Sequence, residues 1–580
     1  MHRNLLTCVC HSALAFIFVS GVGLSKDNVP SVDFRYAFAA PHRITVALPD
    51  SSNKTLLDAT PGKLEMSWTY EDLIYYSFKS FWTPPTKWKV VIQPQIDGHP
   101  FSQSKWERSE GYLPILRNSY HDNGGDLVLE IGGGDTAAIT KIRLANSSNR
   151  NETMALRCEV PGGLAGYNPA WVDNEKAADH LLAGWGAPAD QVVILGIGAD
   201  ENPLPGSTVL TMKWNLKPGE SREAWLIRPY KNEESDVAVL RKKNWADEFE
   251  RAKKEWVDLL DRASRVIIPD QGVSKAFYAC LADLFIMREP IAKGYIATIP
   301  GTEAYRSAPN PFETAIVAVA LDRGAITESD GTRWISAVPG KATGSRYGVL
   351  KALFPTGLLS PTDKLIDGTL KYIERNMSPG GIPVRTGWMK DGMWVAITLD
   401  NVAEAHLARN EGDVAARLLY ATLNHGTPLY TWCEERGQEP NTQKTSGDRQ
   451  HLWTPVAVVR FLRDALVMEE DDHLHLARGI DRSWLASGKA VGIENASTHF
   501  GLLSYHFSLD QMKSKLAGEI DFPESKTPYK AILHCRLPRN FRVVGVDKSS
   551  KASLSVDGEA LEWDNPRGTI SFQARVGLAK

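Results

Sequence analysis

The segment Tyr430–Trp453 reads YTWCEERGQEPNTQKTSGDRQHLW. It gathers Glu434, Glu435, Glu439, Asp448, Arg436, Arg449 and His451 between two tryptophans, Trp432 and Trp453. A connection longer than about 12–15 residues inside a compact domain is usually functional or disordered, and disordered loops are seldom bracketed by aromatics and apolar helices. Carboxylates beside indole rings supply proton donors and acceptors together with flat apolar faces. That is the equipment for breaking a bond between sugars, which needs one protonated and one ionised carboxyl. Neighbouring residues of an extended segment point to opposite sides, so only one of Glu434 and Glu435 need face a cleft.

Two other stretches combine the same residue types. Gly301–Arg306 carries Glu303, Tyr305 and Arg306, and Arg385–Asp391 carries Arg385, Trp388 and Asp391. Carboxyls on separate loops can each be given their own environment and hence their own pKa. Each residue also has a plainer reading. Glu303 can pair with Arg306, Asp391 can cap the following helix, and Glu434 and Glu435 can be solvated loop charges. Glu313 fits a capping box behind Asn310-Pro311. Asp448 fits an ion pair with Arg449, and His451 either orients the loop or touches substrate.

The elements that must position these loops come in three styles. From about 28 to 240, β-rich runs such as Arg43–Pro49, Lys63–Tyr70, Lys87–Ile96 and Thr140–Ala145 alternate with turns such as Gly132-Gly133-Gly134-Asp135, which predicts an antiparallel sandwich. Residues 241–270 contain Trp245, Phe249, Trp256, Leu259 and Leu260 at helical spacing, a linker helix lying on the next domain. From 271 to 490 the pattern is helical, with helices expected near 274–289, 311–324, 329–338, 343–354, 360–376, 393–410, 412–425 and 455–467. Asn310-Pro311, Ser360-Pro361 and Thr454-Pro455 mark three of the starts. Residues 491–580 return to β. Connections between the helices alternate short and long, and successive antiparallel helices put alternate connections at opposite ends. The long ones, near 290–310, 377–392 and 426–454, therefore gather at one end.

Composition narrows the function classes. The 580 residues suit several domains, and 43% apolar with 23% charged residues are ordinary globular values. A net charge of −3 argues against nucleic acid or an anionic membrane as partner. His2 and Arg3 before the apolar run Ala13–Val22 resemble a secretory leader over residues 1–25, so export to a secreted or periplasmic location is expected. Cys158, Cys280, Cys433 and Cys535 lack zinc or redox spacing and are expected mostly as buried thiols. No HExxH, Walker A or GxSxG motif occurs, and neither cofactor nor metal is implied. His473 and His475 look like part of a solvated patch.

Sandwich, linker helix, helical hairpins and closing β-domain resemble the six-hairpin glycosidases, whose helices form an (α/α)6 toroid, with a layout closest to glucoamylase-like and α-L-rhamnosidase-like enzymes. Three local matches carry this. Tyr305-Arg306 is similar to a substrate-binding Tyr-Arg-Asp, with Ser307 in place of Asp. Gly387-Trp388-Met389-Lys390-Asp391 resembles a Trp-Met-Asp turn with a lysine inserted. Gly426-Thr427 to Thr431-Trp432-Cys433-Glu434 resembles a Thr-Thr-x-Trp-Glu loop that carries the general base, with Cys433 interposed. The resemblance implies an inverting glycoside hydrolase with Glu434 or Glu435 as base and Asp391 or Glu303 as acid. Tyr305, Arg306, Arg385, Trp388, Trp432, Arg449, His451 and Trp453 would hold a carbohydrate substrate. Arg306 and Arg385 hint at a carboxylate-bearing sugar. Two alternatives stay open: a polysaccharide lyase using Tyr305, Tyr430 or His451 as base, and a non-catalytic glycan binder.

Overall fold

A computed structural model describes residues 29–51, 53–68, 89–159, 194–200, 209–230, 237–292, 295–298, 325–336, 347–512 and 514–579. The expected leader, the helix over 311–324, and Glu303, Tyr305, Arg306 and Glu313 lie outside the described residues. Within them the chain is multidomain, with several antiparallel sheets and eight α-helices.

The first part is two antiparallel sheets. One runs in the order His42–Val46, Thr55–Thr60, Lys63–Trp68, Lys89–Ile96, Glu152–Glu159, Val209–Leu216. The other runs Leu195–Ile197, Ser221–Pro229, Ala137–Asn146, Gly125–Gly133, Leu116–Asp122, Gln103–Arg108. Their inward residues, among them Ile44, Leu57, Ile92, Leu127, Ile142 and Trp214, share one core. In Lys89–Ile96 burial alternates residue by residue, as a strand with one covered face requires. The glycine run does form a hairpin turn, closed by the Gly134 amide donating to the Ala137 carbonyl.

The Trp245–Leu260 helix is capped by Asn244, whose side chain accepts from the Asp247 amide. Its apolar stripe bridges two bodies rather than lying on one. Trp245 and Phe249 pack on Ile139 and Ile227 of the second sheet and on Ile115 just before one of its strands. Trp256 and Leu260 pack on Ala282 and Ile286 of the next helix, Gln271–Ile286.

Helices Lys364–Arg375, Gly412–Asn424 and Trp453–Leu466 follow the expected spans closely, and Asp363 rather than Ser360 caps the first. Two expected helices are not found over their described residues. Residues 329–336 contribute to a hairpin, Ala325–Thr327 with Arg333–Ile335, turning at Gly331 with φ +81°. Asp330-Gly331 is a turn signal that outweighs the helical spacing. Trp334 is fixed there by a 2.6 Å bond from its indole N–H to Glu328 and by stacking on Tyr372 at 3.7 Å. Of the helix expected over 343–354, the described residues from 347 onward form only a 3₁₀ stretch, Gly348–Ala352, before Pro355.

The final β part begins earlier than the composition suggests. Val467–Glu470 and His473–Leu476 join Lys530–His534, the latter two strands in parallel. Arg265–Ile267 adds an edge to Val491–Thr498. This corrects the reading of His475 as solvated: it is buried and bonded to His534 at 3.0 Å, and burial lowers the pKa of both. Cys158, Cys280, Cys433 and Cys535 are all free and buried.

Candidate active site

Two of the three long loops meet. Met393 and Arg436 exchange backbone hydrogen bonds of 2.9 and 3.1 Å, and Glu435–Arg436 pairs on its other side with Thr445–Ser446. Arg436 is buried, and its guanidinium donates to the carbonyls of Tyr36, His425, Gly437 and Glu439. It therefore acts as a backbone clamp for the loop, with no carboxylate partner among the described residues. A buried network anchors the same loop to the first sheets. Arg108 donates to the Leu429 carbonyl and to both oxygens of Asp283, while Gln450 donates to Asp283 and accepts from Thr45.

Glu434 and Glu435 are both buried and point to different places, as adjacent residues of an extended segment must. The Glu434 carboxylate lies against Gly447, where a Cβ would come within 1.9 Å of Oε2, and accepts from the Asp448 amide at 3.4 Å. Glu435 reaches across to the other loop. Its Oε1 accepts from the Met389 amide at 2.8 Å. Gly387 and Gly392 leave room for it, since a Cβ at either would stand 2.1 or 2.2 Å from that oxygen. Its Oε2 has no hydrogen-bond partner among the described residues. The Gly387 Cβ position is also 2.6 Å from Trp394 Nε1, so this indole and the Glu435 carboxylate border one spot.

Trp394 is the middle of a row of three indoles. Trp388 meets it edge-to-face at 5.0 Å and Trp453 does the same at 5.4 Å. Trp388 is 52% exposed. Such pairs contribute roughly 0.5–1.5 kcal/mol beyond area burial, so the exposed ring is held in a set orientation. Trp453 donates its indole N–H to Asp400 at 3.0 Å.

Other expected site residues fall elsewhere. Trp432 is 1% exposed, with its N–H bonded to the Thr422 carbonyl and its ring against Gly426. It is a core side chain rather than a sugar platform. Asp391 caps no helix; with φ +60° it forms an exposed ion pair with Arg385 at 2.9 Å. Arg449 donates to the Pro41 carbonyl at 3.3 Å. His451 is buried, and its amide donates to the Trp432 carbonyl. Tyr430 sits in the core against Phe34, and burial pushes its hydroxyl up to about 12, which disfavours it as a base. Burial likewise raises the Cys433 thiol to about 12.

Sequence reasoning missed Trp394 and a set of charges beneath the row. Lys351, Asp400, Glu404, Arg460 and Asp464 face one another between the Thr398–Ala408 stretch and the Trp453–Leu466 helix. Burial first, and Asp464 next, push the Glu404 carboxyl well above the usual carboxylate range. Asp400–Glu404 and Arg460–Asp464 are four apart, a spacing that reads as two solvated helix faces until the helices are seen to meet. Among the described residues, no group of three or more His, Cys, Asp or Glu could hold a metal.

No family profile and no curated protein matches the chain. Among solved structures it is similar to a bacterial glucoamylase complexed with acarbose, at 11% identity and TM-score 0.45, covering 75% of this chain and 96% of that one. It is also similar to a family GH92 inverting mannosidase from Bacteroides thetaiotaomicron, at 11% identity and TM-score 0.20, covering 69% and 65%. A polysaccharide lyase aligns at 9% identity and TM-score 0.15, covering 67% and 69%. Likenesses this distant decide neither fold nor activity, and the chemistry rests on the side chains themselves.

Proposed function

We propose that this protein is an exported glycoside hydrolase that acts on a poly- or oligosaccharide by inversion. Its helices would form an (α/α)6-type barrel with the indole-lined loops at one end. The observation that carries this reading is the Glu435 carboxylate. It lies at the junction of two long loops, bonded through one oxygen only, beside a row of indoles that ends in an exposed ring. In the proposed reaction Oε2 of Glu435 takes a proton from water, and the water oxygen attacks the anomeric carbon. The bond to the leaving oxygen breaks as an acid protonates that oxygen from the other face. Trp388 offers the sugar an apolar face. The acid would be Asp391, which stands in an exposed ion pair with Arg385, or Glu303. Glu434, held against Gly447 and the Asp448 amide, supports the loop from behind.

The test is hydrolysis of a panel of plant, algal and host glycans with reducing-end detection, using the intact protein and Glu435→Gln and Glu434→Gln. Glutamine at 435 retains an oxygen for the Met389 amide, so the fold is expected to survive. Turnover should fall by about 10²–10⁴-fold in Glu435→Gln and far less in Glu434→Gln. Full turnover in Glu435→Gln removes the base assignment. Unsaturated products absorbing in the ultraviolet would make the protein a lyase, and binding without cleavage would make it a glycan binder.

A further inference from the structure

We infer that Asp400 is the positioning residue of the indole row, fixing Trp453 through its indole N–H and, through Trp453 and Trp394, the attitude of the exposed Trp388. Asp400 lies in the Thr398–Ala403 turn, which is π-helical. Such turns are rare and concentrate at functional sites. Its two carboxylate oxygens have different partners. Oδ1 takes both cations, Lys351 Nζ and Arg460 Nη1, each at 3.0 Å. Oδ2 is thereby turned to the Trp453 N–H at 3.0 Å. Lys351 also donates to the Asp400 backbone carbonyl, so carboxylate and main chain are held by one ammonium group.

The neighbouring acids explain why the cations stay on Asp400. Arg460 Nε is 3.7 Å from Glu404 and 3.8 Å from Asp464, both longer than its contact with Asp400. Asp464 is taken by Arg463 at 2.9 Å. A carboxylate held by two cations cannot swing to follow an indole, so the indole must follow it. The two edge-to-face contacts, each with an interplanar angle of 86°, then transmit that orientation to the ring at the surface.

The positioning stands on this geometry alone; its use in holding a sugar rests on the proposed function, and the test separates the two. Three indoles at these distances and angles couple their transitions, giving a tryptophan couplet in the circular dichroism of the intact protein. Asp400→Leu is expected to abolish that couplet while helix content is retained. Lys351→Met, which removes one of the two cations on Oδ1 and the bond to the Asp400 carbonyl, is expected to weaken it. A couplet that persists in folded Asp400→Leu overturns the inference. Should Asp400→Leu fail to fold, Lys351→Met decides: a couplet unchanged there with helix content intact overturns the inference. On a glycan that the native protein cleaves, Asp400→Leu should raise KM roughly tenfold, the loss of one aromatic platform, with little change in kcat. Trp388→Ala added to it should raise KM no further, whereas a merely structural Asp400 would give additive effects. If the couplet behaves as expected and no glycan is cleaved, the proposed function fails and the positioning stands.

Discussion

Removing Arg108 should make the protein's stability fall as pH rises, because Arg108 is what holds down the pKa of a buried carboxyl. The Arg108 and Asp283 side chains are both fully buried, joined by bonds of 2.8 and 2.9 Å. Burial alone pushes the Asp283 carboxyl up, and Arg108 and Gln450 pull it back. In Arg108→Met the pull from the guanidinium is gone, and the folded-state pKa climbs further above the unfolded value of about 3.9. Between those two pKa values the folded state carries a proton that the unfolded state has lost. Each pH unit across that window therefore removes about 1.4 kcal/mol of stability. Breaking one partner of a buried pair costs about 3–5 kcal/mol in full. At that slope the deficit builds up over roughly two to four pH units above the unfolded pKa, then levels off. Guanidinium titrations of both proteins at about pH 4.5 and about pH 7.5, read as midpoint shifts at a common slope, measure it. The deficit relative to the intact protein should be small at the lower pH and several kcal/mol at the higher. A second change, Asp283→Leu, should recover most of it, since an apolar pair of similar volume replaces a buried ion pair at little cost. A deficit independent of pH, or one that Asp283→Leu deepens, would refute the reasoning.

Gly447→Ala should lower the thermal midpoint more than Gly219→Ala. Both glycines have positive φ, +70° and +76°, but the new methyl at 447 would meet Glu434 Oε2 at 1.9 Å while 219 is open. The first combines backbone strain with a displaced carboxylate, about 1–3 kcal/mol, and equal midpoints would contradict it. The four described cysteines should resist a thiol reagent in the native protein and react together on unfolding. All are buried, and burial raises every one of the thiols, Cys158 and Cys433 to about 12. One native-state reactive thiol among them would overturn this.

Local signals proved readable where the chemistry is local. Asn244 and Thr454-Pro455 mark helix starts whatever lies around them, and Gly132–Asp135 turns because glycine permits it. The alternation of long and short connections brought Arg385–Asp391 toward Tyr430–Trp453, and the Met393–Arg436 pairing realises that meeting for the described loops. The failures have two causes: a local turn signal at Asp330-Gly331 that outweighs helical spacing, and elsewhere a deciding partner distant in sequence. Trp334 has the spacing of a helix residue, yet Tyr372 and Glu328 hold it in a hairpin. Asp400, Glu404, Arg460 and Asp464 look like solvated helix faces until two helices bring them together and bury Glu404 and Asp464. Trp432 looks like a sugar platform because it stands beside glutamates, while its ring belongs to the core behind Gly426.

Adjacent glutamates in an extended strand must diverge, which the sequence alone establishes without saying which of them faces the indoles. The glycines decide that. Gly447 admits Glu434 on the side of its own loop, where the Asp448 amide meets it. Gly387 and Gly392 admit Glu435 on the opposite side, into the turn that ends in Trp388. A side chain at any of the three would occupy the place of a carboxylate oxygen. All three glycines lie in the two charged loops, and each is placed to receive one glutamate. The divergence of Glu434 and Glu435 is therefore built into both loops, and it gives the two residues different work: Glu434 braces the loop it belongs to, and Glu435 crosses to the aromatic side.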